Sequence, residues 1–599
     1  MRQTASPLGS SPLWSVVILL VLTPALAMAQ LTPSQARSFK HLAGDIDQFV
    51  HHILACHQSP ALTLAVVKDG HVVLTKGYGN TSTNKSRPTT AKTRFAIASL
   101  TKAFTATLIA RWVHSQKNIT MDSPIKSFYP EFRVIDDLRS ETATFRDLLA
   151  HRMGVPSYFK PLVMGYPSDM TRDMLAQRLA HMPTDLQFRH KLVYNNYMYT
   201  LAAHVLEKMS ADRKWEELLR EAILRPLEMS GTGYLEDVNN FSDFALPCDL
   251  VNGTMVDLSP ELFKTVSPCG PAGSVYSNAE DMAKWMTFLL SGGLGPRGTR
   301  VVDPEVIRLT FEPVMISTLP FQELNKPHCP VGHVTLSYDM GWVTANYRGY
   351  RQVYHTGGIV THSSRLWLYP DMKAGIYISV NGPQEKNDKK NLLESLMYYA
   401  SDLLLNEPAW LNRSLACPDL SSRQQTTSSD SQPRPTHPAD PAPTNRTPHE
   451  SYNLTAGRDN LQDFVGEFWH QCFGLIEILL SQSNDSLVFK FGRFGWMNLK
   501  RVSDLEFQGL YYGPLSFLNS HETELISFAR NSRGTVDVVM VDLDDDKLIA
   551  FRRRHANTDG TGERTFENSS GRLHLAPPTR LHVALQTWTL LVFLISCYV

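Results

Sequence analysis

What is scarce in this chain of 599 residues narrows the reading first. Charge of one sign is not in surplus: Lys plus Arg and Asp plus Glu stand at 58 each. No overall field therefore recruits nucleic acid, an anionic membrane surface or an acidic substrate. Cysteine is sparse at seven, and none falls in a Cys-x-x-Cys pair, which removes the usual zinc and redox motifs. A phosphate-cradling Gly-rich loop, a metal-ligand constellation and a basic patch are also missing, so no cofactor, metal or nucleic-acid partner is expected. No internal repeat is apparent. Wholesale disorder is excluded, because 43% of the residues are hydrophobic and a chain this long can bury more than one core.

Both ends carry processing signals. Arg2, an apolar run over 14–22, Pro24 and Ala27-Met28-Ala29 form the pattern of a secretory signal. It predicts residues 1–29 as a signal peptide and a mature start near Gln30. An uncleaved anchor is the alternative, but the run is shorter than the roughly 20 residues that span a bilayer. At the other end, 583–599 contains no charged residue, and Ser569, Ser570 and Gly571 precede it across a polar spacer. This is the layout of a glycolipid-anchor signal, with a C-terminal spanning helix as the alternative. The predicted location is the extracellular face of the plasma membrane, or secreted.

With Cys597 in the discarded tail, Cys56, Cys248, Cys269, Cys329, Cys417 and Cys472 remain, a number compatible with three disulfides of open connectivity. Sequons at Asn80, Asn84, Asn118, Asn240, Asn252, Asn412, Asn445, Asn453, Asn484 and Asn568 fit the same compartment.

Between 421 and 450 the composition shifts to Pro, Ser and Thr, with Ala439 and Ala442 as the aliphatic side chains. Such a segment cannot form a core and reads as a linker over 416–455. It divides a catalytic-sized region, 30–415, from a small one, 456–555, and 556–599 follows as stalk and anchor signal. In the first region, β-rich runs within 62–78 predict a hairpin around Lys68-Asp69-Gly70. Helical patterns occupy 99–113, 171–180, 197–209 and 278–290, and strands return at 364–369 and 375–380. Strands at both ends of a helical middle predict one sheet assembled from distant pieces. The second region alternates on a two-residue period at 487–491 and 535–541, predicting a small antiparallel sheet or barrel.

Ser-x-x-Lys occurs four times, at Ser82/Lys85, Ser99/Lys102, Ser123/Lys126 and Ser157/Lys160. Three copies sit among sequons or prolines and read as exposed turns. Ser99 alone opens a long apolar helix, where a residue three positions on shares its face, so Lys102 reaches its hydroxyl. Apolar neighbours disfavour the ammonium and make Lys102 a candidate acceptor for the Ser99 proton. The competing reading has Ser99 as a helix cap and a snorkelling Lys102. Tyr194-Asn195-Asn196 supplies a phenol for proton relay and, two positions on, an amide, Asn196, before a further helix. His355-Thr356-Gly357-Gly358 starts a strand-rich stretch in which glycine permits close approach of a ligand to the backbone.

The order Ser-x-x-Lys, Tyr-x-Asn, His-Thr-Gly resembles the serine β-lactamase and penicillin-binding-protein superfamily, in its class C-like branch of lactamases, esterases and D-amino-acid peptidases. Supporting phrases include Thr144-Phe145-Arg146-Asp147-Leu148-Leu149-Ala150-His151 and Pro271-Ala272-Gly273-Ser274. The resemblance implies an α/β (α+β) fold, an antiparallel sheet flanked by helices with a helical subdomain. It implies Ser99 as acylated nucleophile, Lys102 as proton-handling partner, Tyr194 as base, and Asn196, His355, Thr356 and Gly357 as substrate contacts. The backbone N–H groups of Ser99 and Gly358 would form the oxyanion hole. His355 departs from the Lys that penicillin-recognising members carry, as animal lactamase-like proteins also do, and points to a substrate without an essential carboxylate. The expected function is a cell-surface serine hydrolase cleaving an ester or amide bond of a small molecule or peptide. The alternative is an inactive binding protein of the same fold. The second region resembles the lipocalin-like domain of some such hydrolases, where relatives use it for gating or oligomer contacts, so a homo-oligomer is an open expectation.

Overall fold

The computed structural model describes residues 32–57, 59–85, 87–251, 253–317, 324, 329–383, 392–417, 460–520, 524–544 and 548–554. The proposed signal peptide, most of the linker and the C-terminal anchor signal lie outside these residues. Among the described residues no helix is long and apolar enough to cross a membrane.

The hairpin expected from Lys68-Asp69-Gly70 forms as β1 (Ala61–Lys68) and β2 (His71–Gly79), with Asp69 and Gly70 both at positive φ in the turn. The returning strands are β3 (Met315–Ile316), β4 (His333–Tyr338), β5 (Val343–Tyr347), β6 (Tyr350–Ile359), β7 (His362–Tyr369) and β8 (Ala374–Val380). They complete one antiparallel sheet in the order β2-β1-β8-β7-β6-β5-β4-β3. The join between the distant pieces is β1 against β8, in register from Leu62↔Val380 to Lys68↔Ala374.

Alternation of side chains along these strands builds two cores. Leu62, Leu64 and Val66 pack with Ile376, Ile378 and the helices α1 (Pro33–His57) and α2 (Leu392–Leu404). Ala65 and Val67 face the opposite core, which holds the helices Thr101–His114, Asn196–Met209 and Ala279–Leu290. The disulfide Cys56–Cys417 ties α1 to the end of this unit, while Cys248, Cys269, Cys329 and Cys472 are free. Among the described residues one disulfide thus stands where the composition allowed three.

The second region closes into an eight-stranded antiparallel barrel, from Gly466–His470 to Leu548–Arg553. Its strands alternate buried and half-buried residues, as in Leu487–Phe491. Phe468, Phe507 and Phe528 fill its interior and continue the core shared with the first region.

Two sequence expectations need correction. Ser82 is buried, with its Oγ 2.7 Å from Asn84 Oδ1. Ser157 and Lys160 are not an exposed turn either. Ser157 donates to Asp544, and Lys160 is buried in a short helix, Lys160–Met164, with Nζ 2.8 Å from Glu524 and 3.5 Å from Asp542. The charges that bury Lys160 arrive from the barrel, more than 360 residues later, so local composition could not reveal them. Backbone contacts reinforce the joint: Arg493 and Phe494 donate N–H to the carbonyls of Gly165 and Met164. Gly492 permits this approach, because a Cβ there would sit 1.7 Å from the Gly165 oxygen.

Lys160→Met removes the cation from two buried carboxylates. The expected outcome is a loss of about 3–5 kcal/mol, measured by denaturant or thermal unfolding. A variant as stable as the native protein would show that the joint carries no such weight.

Candidate active site

A strained turn presents Ser99. Ala98 adopts φ +48, the left-handed region that costs an alanine roughly 1–2 kcal/mol. Ser99 follows in a single 3-10 turn, Ala98–Leu100, and α3 (Thr101–His114) continues from it. α3 is buried along nearly its whole length, so Lys102 cannot reach water and is wholly inaccessible. Its ammonium is satisfied in place by three acceptors: Ser99 Oγ at 3.0 Å, Asn196 Oδ1 at 2.7 Å and the Ala272 carbonyl at 2.9 Å.

Tyr194 and Asn196 are set by the start of α4 (Asn196–Met209). Asn195 caps that helix, its Oδ1 accepting from the N–H of Tyr197 and Met198, and its amide nitrogen donates to the Pro156 carbonyl. This fixes the turn so that Tyr194 Oη lies 3.0 Å from Ser99 Oγ. The Lys102 ammonium stands 4.7 Å from the Tyr194 ring centroid and 5.4 Å from that of Tyr199. Hydroxyl, amine and phenol, separated widely in the chain, therefore meet at one oxygen.

β6 closes the other side. Its pairing with β5 ends at Tyr354, while its pairing with β7 runs on through Ile359. The turn of Ser99 packs here: a Cβ on Gly357 would lie 2.2 Å from the Ile97 carbonyl. Glycine at 357 thus serves the approach of the strand to the turn that carries Ser99, where the sequence suggested approach of a ligand. Val360, a β-branched residue at φ +57, strains the following turn.

A cleft open to solvent adjoins Ser99. Its walls combine Ser99, Asn196 and Gly358 with the apolar Phe159, Leu162, Val266 and Ile359, and among the described residues no charged one lines it. His355 is fully buried instead, with Nδ1 2.7 Å from the Thr356 carbonyl and Nε2 3.1 Å from Tyr338 Oη. Burial, then the nearby Lys102 charge, push its pKa down to about 3. Both nitrogens being engaged by protein, the ring is not arranged as a cation for a substrate. The sequence reading gave no role to His151, Tyr338, Phe159 or Leu162. The one local signal was His151, a polar residue ending the apolar run Leu148-Leu149-Ala150.

A family model described as Beta-lactamase matches residues 46–396. Among curated proteins, the chain is 25% identical over 464 residues to "Unguisins hydrolase ungD'" of Aspergillus campestris, covering 74% of this chain and 79% of that one. It is 25% identical to "Protein flp" of Staphylococcus aureus over 344 residues, 56% of this chain and 62% of the relative, less than two thirds of that protein's length. Among solved structures, the octameric penicillin-binding protein homologue from Pyrococcus abyssi aligns with a TM-score of 0.51 at 18% identity, covering 85% of this chain and 99% of that one.

Burial also lowers the pKa of His151, whose value falls well below normal, and of His362, to about 3. Each histidine is neutral when folded and takes up a proton on unfolding below its ordinary pKa near 6.5. The unfolded chain then binds more protons, so stability is expected to fall as pH drops from about 6.5 toward about 3. Thermal midpoints measured from about pH 7 down to about pH 4.5 check this; a flat series would contradict it.

Proposed function

The chain belongs to the beta-lactamase family, and from that membership we propose a serine hydrolase that cleaves an ester or amide through an acyl-enzyme on Ser99. The observation that carries the reading is the single Ser99 oxygen lying 3.0 Å from both Lys102 Nζ and Tyr194 Oη. Ser99 Oγ attacks the substrate carbonyl, and its proton passes to the Tyr194 oxygen while the Lys102 ammonium balances the phenolate that accepts it. The carbonyl oxygen, now anionic, is held by the backbone N–H groups of Ser99 and Gly358, both of which line the cleft. Tyr194 returns the proton to the departing alcohol or amine. It then takes one from water, whose oxygen attacks the acyl carbon, and passes that proton to the departing Ser99 oxygen, which restores the serine and releases the acid. Asn196, its Oδ1 engaged by Lys102, offers its amide N–H to a substrate carbonyl.

The substrate class follows from what surrounds these groups. The cleft walls are apolar and His355 is neutral, which supports an acyl group without an essential carboxylate. A relative named as a hydrolase supports bond hydrolysis without choosing between ester and amide. The Cys56–Cys417 disulfide supports a secreted or cell-surface location, since such bonds persist in oxidising compartments.

Purified ectodomain is expected to label stoichiometrically at Ser99 with a fluorophosphonate and to turn over a carboxylate-free aryl ester in preference to penicillins. Ser99→Ala is expected to lower that turnover by about 10³-fold or more. Folded protein that neither labels nor turns over would instead favour a binding role for the cleft. Release from cells by a phosphoinositide-specific phospholipase tests the glycolipid anchor, and persistent attachment would favour a spanning helix.

A further inference from the structure

Behind Tyr194 lies a buried file of three rings, His151, Tyr338 and His355, whose hydrogen bonds have a determined direction. The N–H of Asn195 donates to His151 Nδ1 at 3.1 Å, so that nitrogen carries a lone pair. A neutral His151 therefore bears its proton on Nε2, which donates to Tyr338 Oη at 3.2 Å. At the other end, the Thr356 carbonyl can only accept, so His355 Nδ1 carries the proton and Nε2 the lone pair. The Tyr338 hydroxyl then donates to His355 Nε2 at 3.1 Å. The two imidazoles thus take one consistent sense, with Tyr338 Oη accepting from one and donating to the other, and Tyr199 also bonded to that hydroxyl.

The file grips Tyr194 from both sides of the chain. His151 accepts the N–H of Val193 on its main-chain oxygen and that of Asn195 on its ring, the two residues that flank Tyr194. The His151 ring lies 4.2 Å from the Tyr194 ring, centroid to centroid, and Tyr338 meets it edge-on at 6.1 Å. His151 holds this pose at φ +55, a strained conformation for a side chain of its size. From the far end, His355 fixes the peptide of Thr356, two residues before the Gly358 that lines the cleft.

We propose that His151 and Tyr338 are positioning residues that lock the Tyr194 turn and strand β6 into one register around Ser99. The inference rests on reading Tyr194 as the base. The file works only with both imidazoles neutral, because a proton on His355 Nε2 would turn the Tyr338 hydroxyl away. The groups facing it are Lys102 of α3, Tyr194 and Tyr199 at and within α4, His151, and Tyr338 of β4; on β7 the nearest charge, Arg365, is paired with Glu394. Lys102, the cation among these neighbours, opposes that proton.

Tyr338→Phe keeps the ring and deletes both bonds. With active sites counted by fluorophosphonate labelling, kcat per labelled site for a carboxylate-free ester is expected to fall about tenfold to a hundredfold, with KM within about twofold. The acid limb of the pH profile is expected to move toward neutrality, since His355 Nε2 has lost its donor. His151→Leu is expected to fall further, and His151→Asn, which tolerates the left-handed backbone and can still accept from Asn195, to recover part of the loss. Normal kcat per labelled site with an unshifted acid limb, accompanied only by fewer labelled sites, would reduce the file to a structural role and overturn the proposal. A wild-type protein that labels at Ser99 while Tyr194→Phe keeps full activity would overturn the reading of the base, and the inference with it.

Discussion

An ammonium group buried without access to water is the constraint on which the site depends. Taking such an ion out of solvent costs several kcal/mol unless each of its hydrogens finds an acceptor. Lys102 has three hydrogens, and the fold delivers three acceptors from three segments: Ser99 on its own helix start, Asn196 at the head of α4, and the Ala272 carbonyl of the 270–273 turn. Satisfying the lysine and bringing Ser99 and Asn196 together are thus the same structural event. Ala98 and Val360 hold left-handed conformations on either side of the cleft, which the packed surroundings over-determine.

The sheet, the helices and the barrel were legible in the sequence because each rests on a local period. The β-rich run that starts at 62 is buried on both faces, the alternation in 487–491 faces a core on one side, and the apolar helix after Ser99 is buried along nearly its whole length. The joint between catalytic unit and barrel was not legible. Lys160 sits between prolines and polar residues and looks solvated until Glu524 and Asp542 are brought to it by the closed barrel. A cation whose partners are long-range has no signature in its own neighbourhood. The consequence is functional as well as structural, since Phe159 and Leu162 of that same segment form a wall of the cleft.

Among the site residues, Ser99, Lys102, Tyr194 and Asn196 were readable because two short motifs fix their spacing on helix starts. What those motifs could not convey was which side of β6 faces the substrate. His355 and Gly357 look like ligand contacts by type, yet Gly357 is needed so that β6 can touch the Ile97 carbonyl, and His355 points into protein. His151 and Tyr338 escaped notice for a related reason. Neither belongs to a motif whose chemistry is evident alone, and their roles appear only once two residues 187 apart share a hydrogen bond.

These neutral rings also bear on the proposed substrate class. In a low-dielectric pocket two nearby cations repel strongly, and a second ammonium in place of His355 would have to be balanced by a carboxylate that enters with the substrate. With His355 uncharged, Lys102 is the one cation among the groups clustered around Ser99, and its charge is already shared with the phenol. No positive charge is left over to be neutralised by a ligand. A substrate carboxylate would then be desolvated against Phe159, Leu162, Val266 and Ile359 with no compensating ion pair, which costs far more than an ester or amide pays there. The proposed selectivity against acidic ligands therefore rests on the same hydrogen-bonded file that holds Tyr194 in place, so that positioning and the proposed recognition draw on one buried, uncharged network.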